Sequence, residues 1–226
     1  MTTGAGSPDA TEAHRQAFIQ AHAAVGQPPL VPEVRLWLAS DVTALWLATE
    51  ADLERQGVPP PYWAFCWAGG QAVARYVLDH PETVRGLRVL DFAAGGGVAA
   101  IAAARAGAQS VEACEIDPYA TSAMALNVAL NDVSVSLLAQ DVVGAMDRAW
   151  DVVLAGDVCY ERPMADRVIP WLRALAGRGT RVLLGDPGRA YLPAQGLSTL
   201  ACYDVAVSRD LEDRDVRATT VHALLP

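Results

Sequence analysis

An apolar strand, a loop of small residues and an Ala-rich helical run succeed one another between Arg88 and Ala106, and few folds accommodate that order. Arg88–Phe92 reads as a strand and Val98–Ala106 as a buried helix. The loop between them, Ala93-Ala94-Gly95-Gly96-Gly97, is small enough for backbone to approach a ligand at the carboxyl end of the strand. The alternation continues. Ser110–Ile116, Val133–Leu138, Trp150–Ala155 and Thr180–Gly185 read as strands, and Pro118–Leu130 and Arg162–Ala176 as helices. Trp150–Ala155 is almost wholly apolar, as a central parallel strand must be. Gln71–Leu78 supplies one more helix ahead of the first strand. The last two strands, Tyr203–Ser208 and Val216–Leu225, have no helix between them and predict an antiparallel hairpin at the sheet edge. The expected class is α/β, a doubly wound and mostly parallel sheet covered on both faces.

Residues 1–60 read as an N-terminal extension. Met1–Ala10 is small, polar and expected to be disordered. A helix is expected from Asp9 or Thr11 to Val25, a short strand at Arg35–Leu38, and a helical stretch at Asp41–Gln56 closed by Pro59-Pro60-Pro61. The first ten residues carry no basic segment followed by an apolar one, so export is not expected. Mean hydropathy is +0.19 with 52% hydrophobic residues, yet no apolar run reaches the length of a membrane span. Cytoplasmic residence and a monomer are the expectations. Cys66, Cys114, Cys159 and Cys202 are scattered without a Cys-x-x-Cys pair, which predicts buried free thiols and no metal site. A net charge of −9 and a pI near 4.8 argue against nucleic acid, whose phosphates demand a basic face.

Five carboxylates lie at or just past the strand ends. Asp91 leads the glycine loop. It would repel a phosphate, and the Gly-x-Gly-x-x-Gly spacing of a dinucleotide site is absent, so the loop suits a ligand bearing an ammonium group; a plain glycine turn is the alternative. Glu115 lies about 20 residues further on, where an acidic side chain receives ribose hydroxyls. Asp117 precedes Pro118 and reads as a helix cap. Asp141 suits an adenine amino group, with the Val142 N–H toward the ring, and serves equally as a polar loop residue. Asp157 and Tyr160 follow the fourth strand, where doubly wound folds bind ligands; a capped turn with a packed tyrosine is the alternative. Trp67 with Gly69-Gly70 suits a flat ligand or ordinary packing. Arg189 either helps hold a substrate or caps the sheet. The run Arg209–Asp215 reads as a solvated hairpin tip.

Together these residues resemble the class I, Rossmann-like methyltransferases with seven strands. Asp157-Val158-Cys159-Tyr160 is similar to the Asp/Glu-x-x-Tyr/Phe motif of their lysine methyltransferases. The segments 61–71, 185–193 and 208–213 resemble, in particular, the family that methylates the β subunit of electron-transfer flavoprotein, in its bacterial form. The likeness runs from about Val34 to Leu225 and implies that residues 61–226 form the methyltransferase domain. It implies S-adenosylmethionine as cofactor, with Trp67 and Gly69 lining the pocket. Asp91, Ala93, Gly95 and Gly97 would hold its methionine part, Glu115 and Ile116 its ribose, and Asp141 and Val142 its adenine. Asp157 and Tyr160 would face the acceptor lysine as the catalytic pair, Asp157 also touching the cofactor, with Arg189 on the substrate side. The chain departs from the pattern at Ala93, where the broad class has glycine, and at Ala68, where proline is expected. The same cofactor site would also serve transfer to another protein, such as a ribosomal one, or to a small molecule. A non-catalytic relative would not need Asp91, Glu115 and Asp157 together.

Overall fold

The computed structural model describes residues 8–39, 61–207 and 214–226. Its elements are α1 (Pro8–His22), β1 (Ala24–Gly26), β2 (Leu36–Leu38), α2 (Ala68–Asp79), β3 (Arg88–Phe92), α3 (Val98–Arg105), β4 (Ser110–Cys114), α4 (Pro118–Leu130), β5 (Ser136–Leu138), β6 (Val152–Gly156), α5 (Arg162–Ala176), β7 (Arg181–Asp186), β8 (Leu197–Ala206) and β9 (Val216–Leu224). One sheet of seven strands runs in the order β5-β4-β3-β6-β7-β9-β8. The first five are parallel, and β9 joins β7 and β8 antiparallel. The chain moves outward from β3 through β4 to β5, then returns to β6 on the other side of β3. That reversal opens a crevice at the carboxyl ends of β3 and β6.

Burial explains the central strands. Val152–Ala155 and Val182–Asp186 are buried at every position, because helices cover both faces. Side chains alternate between the faces with period two. Leu90, Phe92, Val153 and Ala155 meet Trp171 and Leu172 of α5 on one side. Val89, Val152, Leu154 and Leu183 meet Val73 and Val77 of α2 and Ala100 of α3 on the other. Trp171 stands edge-on to Phe92 at 5.1 Å and donates its indole N–H to the Ala145 carbonyl at 3.1 Å, so its polar handle is satisfied. Each such apolar side chain contributes about 1.5–3 kcal/mol of burial.

The α/β class, the doubly wound order and the C-terminal antiparallel hairpin agree with the sequence reading. Several boundaries differ. The first helix starts at Pro8, inside the stretch expected to be disordered, and stops at His22. Ala24–Gly26 leaves the helical path because it pairs with Leu36–Leu38. α2 begins at Ala68, so Gly69 and Gly70 lie in its first turn and do not precede it. The strand expected at Val133–Leu138 pairs only over Ser136–Leu138, opposite Glu112–Cys114. β4 ends at Cys114, leaving Ile116 71% exposed. β8 starts six residues before Tyr203, at Leu197, since it follows β9 along its length with a bulge between Thr199 and Ala201. Cys114 and Cys159 are buried, Cys66 is half-buried, and Cys202 is exposed, against the expectation of burial for all four. The helical stretch at Asp41–Gln56 and most of the charged hairpin tip fall outside the described residues; Arg214 and Asp215 of that tip are exposed.

Candidate active site

Every candidate carboxylate of the sequence lies at the carboxyl edge of the parallel strands. Asp91 sits within β3, opposite Ala113 and Leu154. It is buried, and its Oδ2 accepts the backbone N–H of Ala100 in α3 at 2.8 Å. Burial pushes its carboxyl up to about 7, against the pull of that N–H. The loop that follows is held in left-handed conformations at Ala93 (φ 52°), Gly95 (φ 52°) and Gly97 (φ 81°). For Ala93 this costs about 1–2 kcal/mol, which neighbouring bonds from Ala94 N to the Cys114 carbonyl (3.1 Å) and from Asn127 Nδ2 to the Gly96 carbonyl (2.9 Å) offset. A Cβ on Gly97 would come within 2.9 Å of Met124 Cγ, whereas one on Gly95 would meet nothing within 4 Å. The loop is therefore clamped on its inner side and open above Gly95.

Glu115 leaves the end of β4. Its Oε1 accepts from Ile116 N (2.7 Å) and Asp117 N (3.2 Å), and its Oε2 from Gly95 N (3.1 Å). Three of a carboxylate's roughly four lone-pair positions are thus used. Two hydroxyls received together would take the place of one of the longer bonds. Asp117 caps α4, accepting Tyr119 N at 2.8 Å, as read from its place before Pro118. Asp141 is exposed and ion-paired with Arg167, while its Oδ1 takes Val143 N at 2.9 Å; Val142 beside it is buried. That pair and that bond hold the Asp141 carboxyl below its ordinary range despite partial burial.

Asp157 stands at the crevice. Its backbone is left-handed (φ 56°), and its side chain is only 12% exposed. Oδ2 accepts Gly70 N at 3.0 Å, so the carboxylate caps the positive end of α2 from outside that helix. Oδ1 is buried with no hydrogen-bond donor among the described residues, and Arg189 Nη2 lies 3.7 Å from it. Burial pushes this carboxyl too up to about 7, with Arg189 pulling against it. The cap depends on three glycines from distant parts of the chain. A Cβ on Gly69 would fall 2.3 Å from the Gly185 carbonyl, one on Gly156 2.5 Å from Gly70 N, and one on Gly185 2.3 Å from the Gly69 carbonyl. Tyr160, 41% exposed, faces Tyr62 at 6.1 Å between ring centres, and Tyr62 faces Trp67 at the same separation. Trp67 is fixed by its indole N–H on the Tyr62 carbonyl at 2.9 Å. Burial holds the Tyr160 phenol above its ordinary range, so it stays protonated at neutral pH.

Two participants escaped the sequence reading. Asp186 ends β7, is buried, and ties the following turn through Gly188 N (2.7 Å) and Arg189 N (2.6 Å). Its signal was present as a repeated Gly-Asp pair, Gly156-Asp157 and Gly185-Asp186, at the ends of adjacent strands whose glycines are register partners. Asn127, fully buried, joins the loop to β2 by accepting Trp37 N at 2.7 Å; nothing local in α4 marks it.

The strand order, the reversed last strand and the carboxylates along one edge define a Rossmann-like, S-adenosylmethionine-dependent methyltransferase. The family of ribosomal protein L11 methyltransferases (PrmA) matches residues 75–158. Magnesium protoporphyrin IX methyltransferase (ChlM) from Synechocystis PCC 6803, solved with bound SAM, shares the fold with a TM-score of 0.52 at 21% identity, over 70% of this chain and 79% of that one. Much closer in sequence is the electron transfer flavoprotein beta subunit lysine methyltransferase of Xenopus laevis, 38% identical over 93% of this chain and 87% of the relative. The Homo sapiens protein of the same name is 36% identical over 93% and 82%. The chain belongs to this family of electron-transfer flavoprotein β-subunit lysine methyltransferases. The resemblance read from its motifs is borne out, as are the enzyme class and the cofactor.

Proposed function

We propose that this enzyme methylates lysine side chains of the electron-transfer flavoprotein β subunit. Asp157 carries the reading: a buried carboxylate with one oxygen committed to α2 and the other, Oδ1, without a hydrogen-bond donor among the described residues, beside the exposed phenol of Tyr160. Family membership supports the choice of protein. In keeping with that reading, residues 61–226 form the catalytic domain and 1–60 an extension, and the enzyme acts as a cytoplasmic monomer without nucleic acid. No helix among the described residues is long and apolar enough to cross a membrane.

The donor set fits the cofactor. Asp91, buried and left with acceptor capacity beyond Ala100 N, would hold the ammonium of the methionine part with the backbone of Ala93, Gly95 and Gly97. Glu115 and Ile116 would hold the ribose, Asp141 and Val142 the adenine, and Trp67 and Gly69 the wall toward the acceptor. Bound there, S-adenosylmethionine supplies an electrophilic methyl group on a positive sulfur. The protein contributes alignment, since an in-line displacement needs the nucleophile within about 3–3.5 Å. A lysine of ordinary pKa, about 10.4, is neutral in only about one of a few thousand copies at pH 7. Partial burial lowers that pKa, while the charge of Asp157 alone raises it. Asp157 therefore captures and aims the lysine and is not a strong base, and Tyr160 borders the alkyl chain. Incubation with labelled cofactor and an extract lacking the enzyme tests this. Labelling of the electron-transfer flavoprotein β subunit is expected; labelling of other proteins alone overturns the substrate assignment.

A further inference from the structure

Capture and deprotonation make opposite demands on the field around the acceptor. An anion is needed to draw the ammonium in, yet the same anion stabilises its proton. A second charge placed against Asp157 settles the conflict. Arg189 Nη2 lies 3.7 Å from Asp157 Oδ1, the oxygen not used by α2, with 22% of the arginine side chain exposed. The guanidinium is there because Asp186 fixes the turn: Asp186 Oδ1 accepts Gly188 N and Arg189 N, while Tyr191 N donates to the Cys159 carbonyl at 3.2 Å. That last bond closes the turn onto the Asp157–Tyr160 segment itself. Arg189 is thus attached at both ends to the strand termini that form the acceptor site.

We propose that Arg189 is a positioning residue for methyl transfer, holding Asp157 charged and aimed and then sharing Asp157 Oδ1 with the arriving lysine. This rests on the lysine-methyltransferase reading above. With the guanidinium beside it, Asp157 attracts the lysine at entry. The neighbouring cation then counteracts the anion's hold on the lysine proton, which leaves to water more readily. Asp186 holds the turn and, by its own charge, works against Arg189 at Asp157. The other groups near this pair are the Cys66 thiol ahead of α2, the Cys159 thiol, Tyr160 and Glu161 on the segment after β6, and His222 on β9 facing Asp186. Burial holds both thiols protonated and His222 neutral at pH 7, so among the described residues the arginine is the cation set against Asp157.

The test is the pH profile of kcat/KM on the purified β subunit for the wild type, Arg189→Met and Arg189→Lys. Loss of the guanidinium raises the pKa of Asp157 and of the bound lysine together. The profile of Arg189→Met is expected to move alkaline by roughly one pH unit or more, the size a charge at this range produces. Arg189→Lys is expected to restore most of the shift. The Asp157 carboxylate band, read by isotope-edited infrared titration without cofactor, is expected to move the same way. A uniform loss at every pH, or an unmoved infrared titration, overturns the proposal. If the wild type labels no lysine at all, the function reading has failed, and the infrared titration still decides whether Arg189 holds Asp157 charged.

Discussion

Gly69 and Gly70 are adjacent, yet alanine is expected to act on them with opposite signs. At Gly69 a Cβ would lie 2.3 Å from the Gly185 carbonyl oxygen, 2.6 Å from Asp157 Oδ2 and 2.7 Å from Asp157 N. Two of these are backbone atoms, which cannot turn aside, so the cost belongs near the upper end of overpacking, about 3 kcal/mol. Replacing a helical glycine returns about 1 kcal/mol. The net loss is about 2 kcal/mol, which for a chain of this length lowers Tm by roughly 4–8 °C. At Gly70 the nearest foreign atom is Val98 Cγ1 at 3.4 Å, an ordinary contact, so Gly70→Ala keeps up to about 1 kcal/mol of helix propensity. Thermal denaturation of the two variants beside the wild type measures the difference. Gly69→Ala also pushes Asp157 away from α2 and is expected to lose methyl transfer. Equal Tm shifts in the two variants would refute the interlocked glycines as the support of Asp157.

Other outcomes follow from the same geometry. Cofactor affinity, followed by calorimetry, is expected to rise with pH through about 7, because Asp91 must be ionised to hold an ammonium and burial raises its pKa. Asp91 and Asp157 have folded pKa values above their unfolded ones, so their contribution to stability is complete below about pH 4 and is lost as pH rises through about 7. Urea titrations of the cofactor-free protein across that window check the sign. Asn127→Leu removes the partners of the Gly96 carbonyl and Trp37 N–H and is expected to cost about 1–3 kcal/mol and to weaken cofactor binding. Tyr160→Ala is expected to raise KM for the protein substrate while leaving the calorimetric affinity for cofactor unchanged.

The elements that sequence placed well are those whose signals are local. β3, α4 and α5 have their expected bounds, and Asp117 with Pro118 marks the start of α4 within three residues. The Gly-rich loop and its carboxylate belong to one strand-to-helix connection, so they too could be read directly. What escaped depends on distant partners. The start of α2 is set by Asp157, 87 residues away from the Gly70 N–H it accepts. Three-residue β1 is too short to show a period and exists through its pairing with β2, the strand expected at Arg35–Leu38. The early half of β8 is an edge strand with mostly exposed positions, which erases the apolar alternation. The approach of Arg189 to Asp157 joins two loops and leaves no pattern in either.

The most direct measurement is intact-mass and peptide-mapping spectrometry of purified electron-transfer flavoprotein β subunit after incubation with S-adenosylmethionine and either wild type or Asp157→Asn. Methyl groups confined to lysines are expected with the wild type, and strongly reduced transfer with the variant while cofactor binding persists. Full transfer by Asp157→Asn, or methyl groups on residues other than lysine, would contradict the account.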